Sequence, residues 1–534
     1  MASTDKQFSR EEAHFLLMHG NLPSPAVFKG MVEDWPALKW SPARLAQVLE
    51  NRTLRFRTGP RNPASKDVLW ETDCEYIDAT LQQFCEWLDP VSSPAPREEC
   101  VTDNKENSNP FQPYHPAHTW AYLDYKYMAE VFCDQPDILQ GVRWEDFGFP
   151  GRTGTESTIW VGSAGAHTPC HYDTYGCNLV LQVYGRKKWV LFPPEDSANL
   201  YPTRLPYEES SVFSQVNVAH PDIQQHPKLM SSHPHVVILE PGDVLFVPKH
   251  WWHYVESLST SVAVNSWIEM ASDAEDRLQE AVVRLVLLSI KSDADQSPWL
   301  NPTENVTSRA SNLGYLQAAL EELRARNGPG STGASNCTFA GGCPFPQEDT
   351  KTTPPPSKRS KLEDSNTRTE ASDRTNSYST PSSWFGPNLV PVLPCKDYIT
   401  DKLCSMQASD VTADKLSQER TSVAVRPADS SAAAKHTAVQ HTAEMTAGES
   451  MTTKRREVAK TAEQTTAKQT PDEHMSSSAK VKACLEGSES ADMSRSMEQD
   501  RGLRELESTI VNCLVQPHVV QEVAKLLKER LRLS

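Results

Sequence analysis

The 534 residues predict a mainly-β domain, a jelly roll or antiparallel sandwich with flanking helices, followed by a long disordered C-terminal region. Three observations predict it. Between about 156 and 268, short apolar runs alternate with turn residues, the pattern of two packed antiparallel sheets that can hold a ligand between them. Every one of the 13 tryptophans except Trp384 precedes residue 327, so the material for a large core lies in the first part of the chain. From about 327 to 500 the chain is rich in Ser, Thr, Pro, Lys and Glu and poor in large apolar residues, too little to offset the entropy of ordering.

The elements follow in order. Ser9 with Glu12 fits a capping box ahead of Ala13, Leu16 and Leu17. Ser41-Pro42 fits an N-cap with proline at the first helical position, and Leu45, Val48 and Leu49 supply an apolar stripe. Residues 53–58 alternate like a half-buried strand, and the polar stretch 98–113 reads as a surface loop. Residues 178–184 and 188–192 flank Gly185-Arg186 and predict a hairpin with its turn at the glycine. Residues 236–239 and 244–247, joined by Glu240-Pro-Gly-Asp243, predict another strand-turn-strand unit, and 261–268 closes the set. Asp273 can cap a helix carrying Leu278, Val282, Leu285 and Leu288, and Leu313, Leu316, Leu320 and Leu323 mark a second. Near the end, Val519, Val523, Leu526, Leu527 and Leu531 share one helical face and Leu506, Ile510 and Leu514 another. That segment either docks on the folded part or binds a partner.

A formal net charge of −17 argues against general affinity for nucleic acid or anionic membrane. The N-terminus has no apolar signal region, and no run of about eighteen apolar residues exists, so the expectation is a soluble cytoplasmic protein without membrane association. Basic patches at Lys358 and Lys454 read as charged linker or as nuclear-import signals. The 12 cysteines are scattered and expected to be reduced, and Cys337 and Cys343 lack the paired spacing of a zinc site.

The chemistry concentrates at His171-Tyr172-Asp173 and His253. Residues i and i+2 of a strand face the same side, so His171 and Asp173 can reach one metal. Two imidazoles and a carboxylate suit one face of Fe(II), leaving the other open. A bare His-x-Asp is common, and a satisfied core histidine is the ordinary alternative. His250 competes with His253 for the third position. Lys187 either points into the same cavity, where an anion would have to meet it, or snorkels at the surface beside Arg186 and Lys188.

Four motifs in order resemble the JmjC-domain 2-oxoglutarate oxygenases, in the branch of the asparaginyl hydroxylase that inhibits hypoxia-inducible factor. They are Thr168-Pro-Cys-His-Tyr-Asp173, Gly185-Arg-Lys-Lys-Trp-Val-Leu-Phe-Pro-Pro194, Pro241-Gly-Asp-Val-Leu-Phe-Val-Pro248 with Trp251-Trp-His-Tyr-Val-Glu256, and Val264-Asn-Ser-Trp267. The resemblance covers roughly residues 20 to 290. It implies a cupin-like double-stranded β-helix over 121–270, a lead-in over 1–120, and helices over 271–326 packed on the core, with a homodimer possible through them. Residues 327–500 then read as disordered and 501–534 as an amphipathic terminal helix. His171, Asp173 and His253 would hold Fe(II); Lys187 and Thr168 would take the distal carboxylate of 2-oxoglutarate, O2 being the second co-substrate. Asn178 and Asn265 match pocket amides, Trp267 an aromatic beside the last ligand, and Tyr122 a tyrosine contacting the co-substrate. The implied activity is hydroxylation of a protein side chain, with a link to cellular stress. Its rivals are a weakly catalytic scaffold that recruits a partner such as a small heat-shock protein, and a non-redox zinc or manganese isomerase. Arg186 departs from the aromatic of that hydroxylase, and the absence of a paired CxxC or chromatin-reading finger points away from a histone demethylase.

Overall fold

A computed structural model describes residues 8–18, 22–61, 65–89, 109–290, 299–302, 307–327, 384–406 and 509–532. The strands are β1 (Ala26–Phe28), β2 (Thr53–Pro60), β3 (Glu75–Thr80), β4 (Thr119–Tyr127), β5 (Thr158–Gly162), β6 (His167–Asp173), β7 (Cys177–Tyr184), β8 (Lys187–Phe192), β9 (Pro202–Glu208), β10 (Ser211–Ser214), β11 (His235–Leu239), β12 (Val244–Val247), β13 (Trp252–Ser257), β14 (Ser261–Ile268) and β15 (Leu389–Pro391). They form a nine-stranded sheet, ordered β15-β1-β12-β7-β14-β5-β4-β2-β3, and a six-stranded sheet, ordered β11-β8-β13-β6-β10-β9. Every pairing between these strands is antiparallel.

The connections show why this is a double-stranded β-helix. β7 pairs with β12 and β14 in the large sheet, whereas β8 pairs with β11 and β13 in the small one. The Gly185 turn is therefore a corner between sheets, which corrects the expected hairpin. The same holds for β11 and β12 around Gly242. A short turn between apolar runs looks the same in either case; what separates them is that β7 is buried on both faces for seven of its eight residues. Gly185 sits at φ +65, and a Cβ there would collide with the Thr260 carbonyl oxygen. Gly185→Ala should cost about 2–4 kcal/mol, combining left-handed strain with a backbone clash, readable as a shifted urea midpoint at unchanged slope.

Local chemistry set several elements as expected. Ser9 and Glu12 exchange both capping hydrogen bonds ahead of the helix Arg10–Met18. The Ser41 hydroxyl accepts from the Arg44 N–H in front of Pro42–Leu49. The main core lies between the large sheet and these N-terminal elements, with Trp35, Trp144, Phe28 and Phe147 packed edge to face. Of the expected loop 98–113, residues 98–108 lie outside the described residues.

Two late segments return to the domain. Residues 384–406 fall within the stretch expected to be disordered, yet they form a strap. β15 pairs with the β1 edge, Pro394 bridges His235 on the β11 edge, and the Cys395 N–H donates to the Pro234 carbonyl. Ile399, with Tyr398 and Leu403, then packs on the outer face of the small sheet against Cys170, Trp252 and Tyr254. Composition averaged over the long polar stretch hid the short apolar clusters at 389–393 and 398–403.

The helix Pro517–Leu531 docks through Val520 and Ala524 with Leu527 packed beside them, while Val519 of the expected face is half-buried and Val523, Leu526 and Leu531 are exposed. Likewise Val511 and Val515 are buried while Ile510 and Leu514 are exposed; Leu506 lies outside the described residues. The buried side meets the helix Asp273–Ile290 and Tyr207. The expected face weighted the larger apolar residues, whereas the fully buried positions of this segment are Val and Ala.

Candidate metal centre

His171 and Asp173 share one face of β6, and His253 on β13 stands directly opposite His171 in the ladder. Their rings lie 4.2 Å apart between centroids, and one ligand atom from each of the three residues falls within 4.8 Å of the others. Each imidazole is oriented from behind. His171 Nδ1 donates to the Pro169 carbonyl at 2.8 Å and His253 Nδ1 to the Trp251 carbonyl at 3.0 Å, which leaves both Nε2 lone pairs for a cation. Burial, reinforced by His253, lowers the His171 pKa to about 4, so its ring is neutral at physiological pH.

The Asp173 carboxylate is held by a relay. The Trp267 indole N–H donates to Oδ2 at 2.9 Å, and the Asn178 amide approaches the same oxygen at 3.5 Å. Asn265 donates to Asn178 at 2.9 Å and accepts from the Trp160 indole at 2.8 Å. Oδ1 is left facing His171 Nε2 at 3.8 Å. Trp267 thus stands against Asp173; the aromatic against the last ligand, His253, is Trp189, at 5.6 Å and nearly parallel.

The ligands open into a cavity of about 870 Å3, counting its open mouth, lined also by Thr168, Lys187, Tyr122, Asn178, Asn265 and Trp267. All nine residues singled out from the sequence therefore meet at one place. Lys187 is 3% exposed, which removes the surface alternative. Its ammonium donates to the Tyr122 hydroxyl at 2.9 Å and lies 4.8 Å from that ring's centroid, and burial lowers its pKa to about 7. Thr168 is a hydrogen-bonding neighbour of the same phenol. His250 is turned away: its Nε2 lies 3.2 Å from the Thr174 carbonyl and 3.5 Å from Asp276.

Other site residues escaped the sequence reading. Arg57, fully buried on β2, pairs with Asp124 at 2.6 Å and Glu71 at 3.7 Å, and donates to the His167 carbonyl. Its single charge offsets only part of these two carboxylates, which line the cavity near Lys187, and Asp124 still favours the charged form of Lys187 against its burial. The Trp189 indole N–H is buried without a hydrogen-bond partner among the described residues. No local motif marks Arg57 or Asp124, since β2 and β4 meet β6 and β8 only across the sandwich; Trp189 lies within the Gly185–Pro194 motif, which gave it no role of its own.

The donor set suits a borderline cation such as Fe(II), and a buried ammonium without an ion-pair partner among the described residues suits a carboxylate ligand. Two sheets closed around a His-Asp-His cluster define a cupin-like fold with a candidate metal site. A Cupin-like domain family matches residues 13–274. The rat protein "HSPB1-associated protein 1" is 44% identical over 402 residues, covering 73% of this chain and 77% of that one. The human protein of the same name is 48% identical over 320 residues, 59% of this chain and 62% of its own length. A Drosophila "Jumonji C domain-containing protein 5" is 28% identical over 251 residues, 46% of this chain and 54% of its own. The chain belongs to the cupin-like JmjC family, among the relatives of HSPB1-associated protein 1. Members of this family generally use Fe(II) and 2-oxoglutarate.

Proposed function

We propose that the chain is an Fe(II)- and 2-oxoglutarate-dependent oxygenase that hydroxylates a protein side chain. The observation that carries it is the convergence of His171, Asp173 and His253 beside the buried ammonium of Lys187. His171, Asp173 and His253 would hold the iron, and Lys187, Thr168 and Tyr122 the distal carboxylate of the keto acid. When bound, this pair supplies the oxidation: 2-oxoglutarate and O2 give succinate, carbon dioxide and one oxygen atom for a C–H bond of the substrate. The chain's own part is positional. Backbone carbonyls fix the imidazole tautomers, the Trp267 and Asn178 donors fix the carboxylate, and Trp189, Val180, Val255 and Ala263 keep water from the inner wall.

The full-length chain, purified without oxygen and loaded with Fe(II), should turn 2-oxoglutarate into succinate. His171→Ala and Asp173→Ala should each lower that rate by at least roughly 100-fold, since partners of metal ligands alone account for 10–100-fold. Wild-type protein that binds Fe(II) but not the keto acid overturns the reading.

A second reading has one observation in its favour. The relatives' name records association with HSPB1, and the exposed row Val523, Leu526 and Leu531 is a surface on which a partner such as a small heat-shock protein could sit. On that reading the domain is a scaffold, and 2-oxoglutarate affinity separates the two.

A further inference from the structure

β4 carries one residue more than its partner β5 between two points of their ladder. Leu123 pairs with Val161 and Lys126 with Ile159, so Asp124 and Tyr125 oppose a single residue. This is a β-bulge, and Tyr125 within it has φ +51, a left-handed conformation that a bulky side chain rarely adopts. The consequence is directional. Tyr122 and Asp124, two apart, face the cavity, and an unbroken strand would send Tyr125 to the opposite face with Leu123, into the main core. The bulge turns Tyr125 into the cavity as well.

There its ring stands between two indoles, 5.7 Å from Trp160 at an interplanar angle of 84° and 5.7 Å from Trp267 at 45°. Those indoles are the two ends of the relay that holds the Asp173 carboxylate. Trp267 donates to Asp173 directly, and Trp160 donates to Asn265, which donates to Asn178 beside Asp173. A strained tyrosine is retained only where its surroundings over-determine it, and strain of this kind collects at functional sites. Glycine or asparagine would take the backbone angle more easily, so the ring itself is what the position requires.

We propose that Tyr125 is a positioning residue for Asp173, clamping the indoles of Trp160 and Trp267 so that one carboxylate oxygen is fixed and the other is presented to the metal. This rests on the metal-site reading above. It assigns Tyr125 no contact with the metal and no proton transfer.

The test is Mn(II) binding to the full-length chain, followed by the electron paramagnetic resonance of free Mn(II), in wild type, Tyr125→Phe, Tyr125→Ala, Tyr125→Leu, Trp267→Phe and the Tyr125→Ala/Trp267→Phe double variant. Tyr125→Phe keeps the ring and should bind within about two-fold of wild type; Tyr125→Ala should bind about 10-fold more weakly, the lower end for a residue supporting a ligand. Tyr125→Leu fills the volume without a flat face and should fall with Tyr125→Ala, which covers the case in which the alanine variant does not fold. The double variant should bind less weakly than the product of the two single losses, because the substitutions share the Trp267 arm of the relay. Tyr125→Ala or Tyr125→Leu binding like wild type, or losses that multiply in the double variant, overturns the proposal. Wild-type chain that binds no Mn(II) overturns the metal reading itself, a result distinct from either.

Discussion

Replacing Lys187 with methionine should stabilise the ligand-free protein and abolish 2-oxoglutarate binding at once. Burial lowers the lysine pKa from 10.5 in the unfolded chain to about 7 in the fold. Below pH 7 both states carry the proton, and the folded state bears the whole cost of a buried charge. Between pH 7 and 10.5 the unfolded chain binds more protons, so wild-type stability rises with pH across that window and the burden fades. The shift corresponds to a penalty on the order of 3–5 kcal/mol below pH 7, part of it offset by the lost hydrogen bond to Tyr122. The Lys187→Met variant should therefore melt above wild type at about pH 6, with the gap closing toward about pH 10. Leaving a buried carboxylate unmatched costs about 3–5 kcal/mol, so keto-acid affinity should drop by more than about 100-fold. Wild-type affinity should also weaken as pH rises through about 7, where the free site loses its proton. Calorimetric titration across roughly pH 6–9 checks this; a variant that still binds the dicarboxylate would place the anion elsewhere.

Ending the chain at residue 330 should destabilise the domain severely, although all four motifs would remain. That cut removes β15 from the β1 edge, the 398–403 segment from behind the metal-ligand strands, and the helix Pro517–Leu531 from its groove. Leu389, Val392, Ile399, Val511, Val515 and Val520 are all buried, and each contributes about 1.5–3 kcal/mol when fully covered. Discounted for a compact unfolded state, their sum still rivals the net stability of an ordinary domain. The truncated edge at β1 also offers unpaired backbone groups to other chains. The 1–330 fragment should melt well below the full chain and associate as concentration rises, whereas a chain lacking only residues 410–500 should melt with wild type. Equal melting of fragment and full chain would show the strap and terminal helix to be energetically idle.

Much of the site was legible in one dimension because its chemistry is local. The i and i+2 spacing on a strand puts His171 and Asp173 on one side, whereas the choice of His253 over His250 came from the resemblance to the JmjC oxygenases. Caps at Ser9 and Ser41 were readable for the same reason, being bonds between residues three apart. Sheet membership was not readable. The turns at Gly185 and Gly242 look like hairpins, and only long-range pairing decides that each carries the chain from one sheet to the other. Arg57, Asp124 and Tyr125 were invisible because their roles come from strands distant in the chain, and a bulge leaves no mark in hydrophobic alternation.

The linear chain thus determined the mainly-β content and the His171/Asp173 pair, since side-chain type and short spacing fix those, while the resemblance to the JmjC oxygenases supplied the rest of the nine cavity residues. Tertiary packing decided which strands share a sheet and which face of the terminal helix is buried. It also decided that residues 384–406 pack on the domain through Leu389, Val392 and Ile399, and that Tyr125 looks inward. These depend on what lies opposite in space, and burial energy is a property of the pair, not of either residue alone.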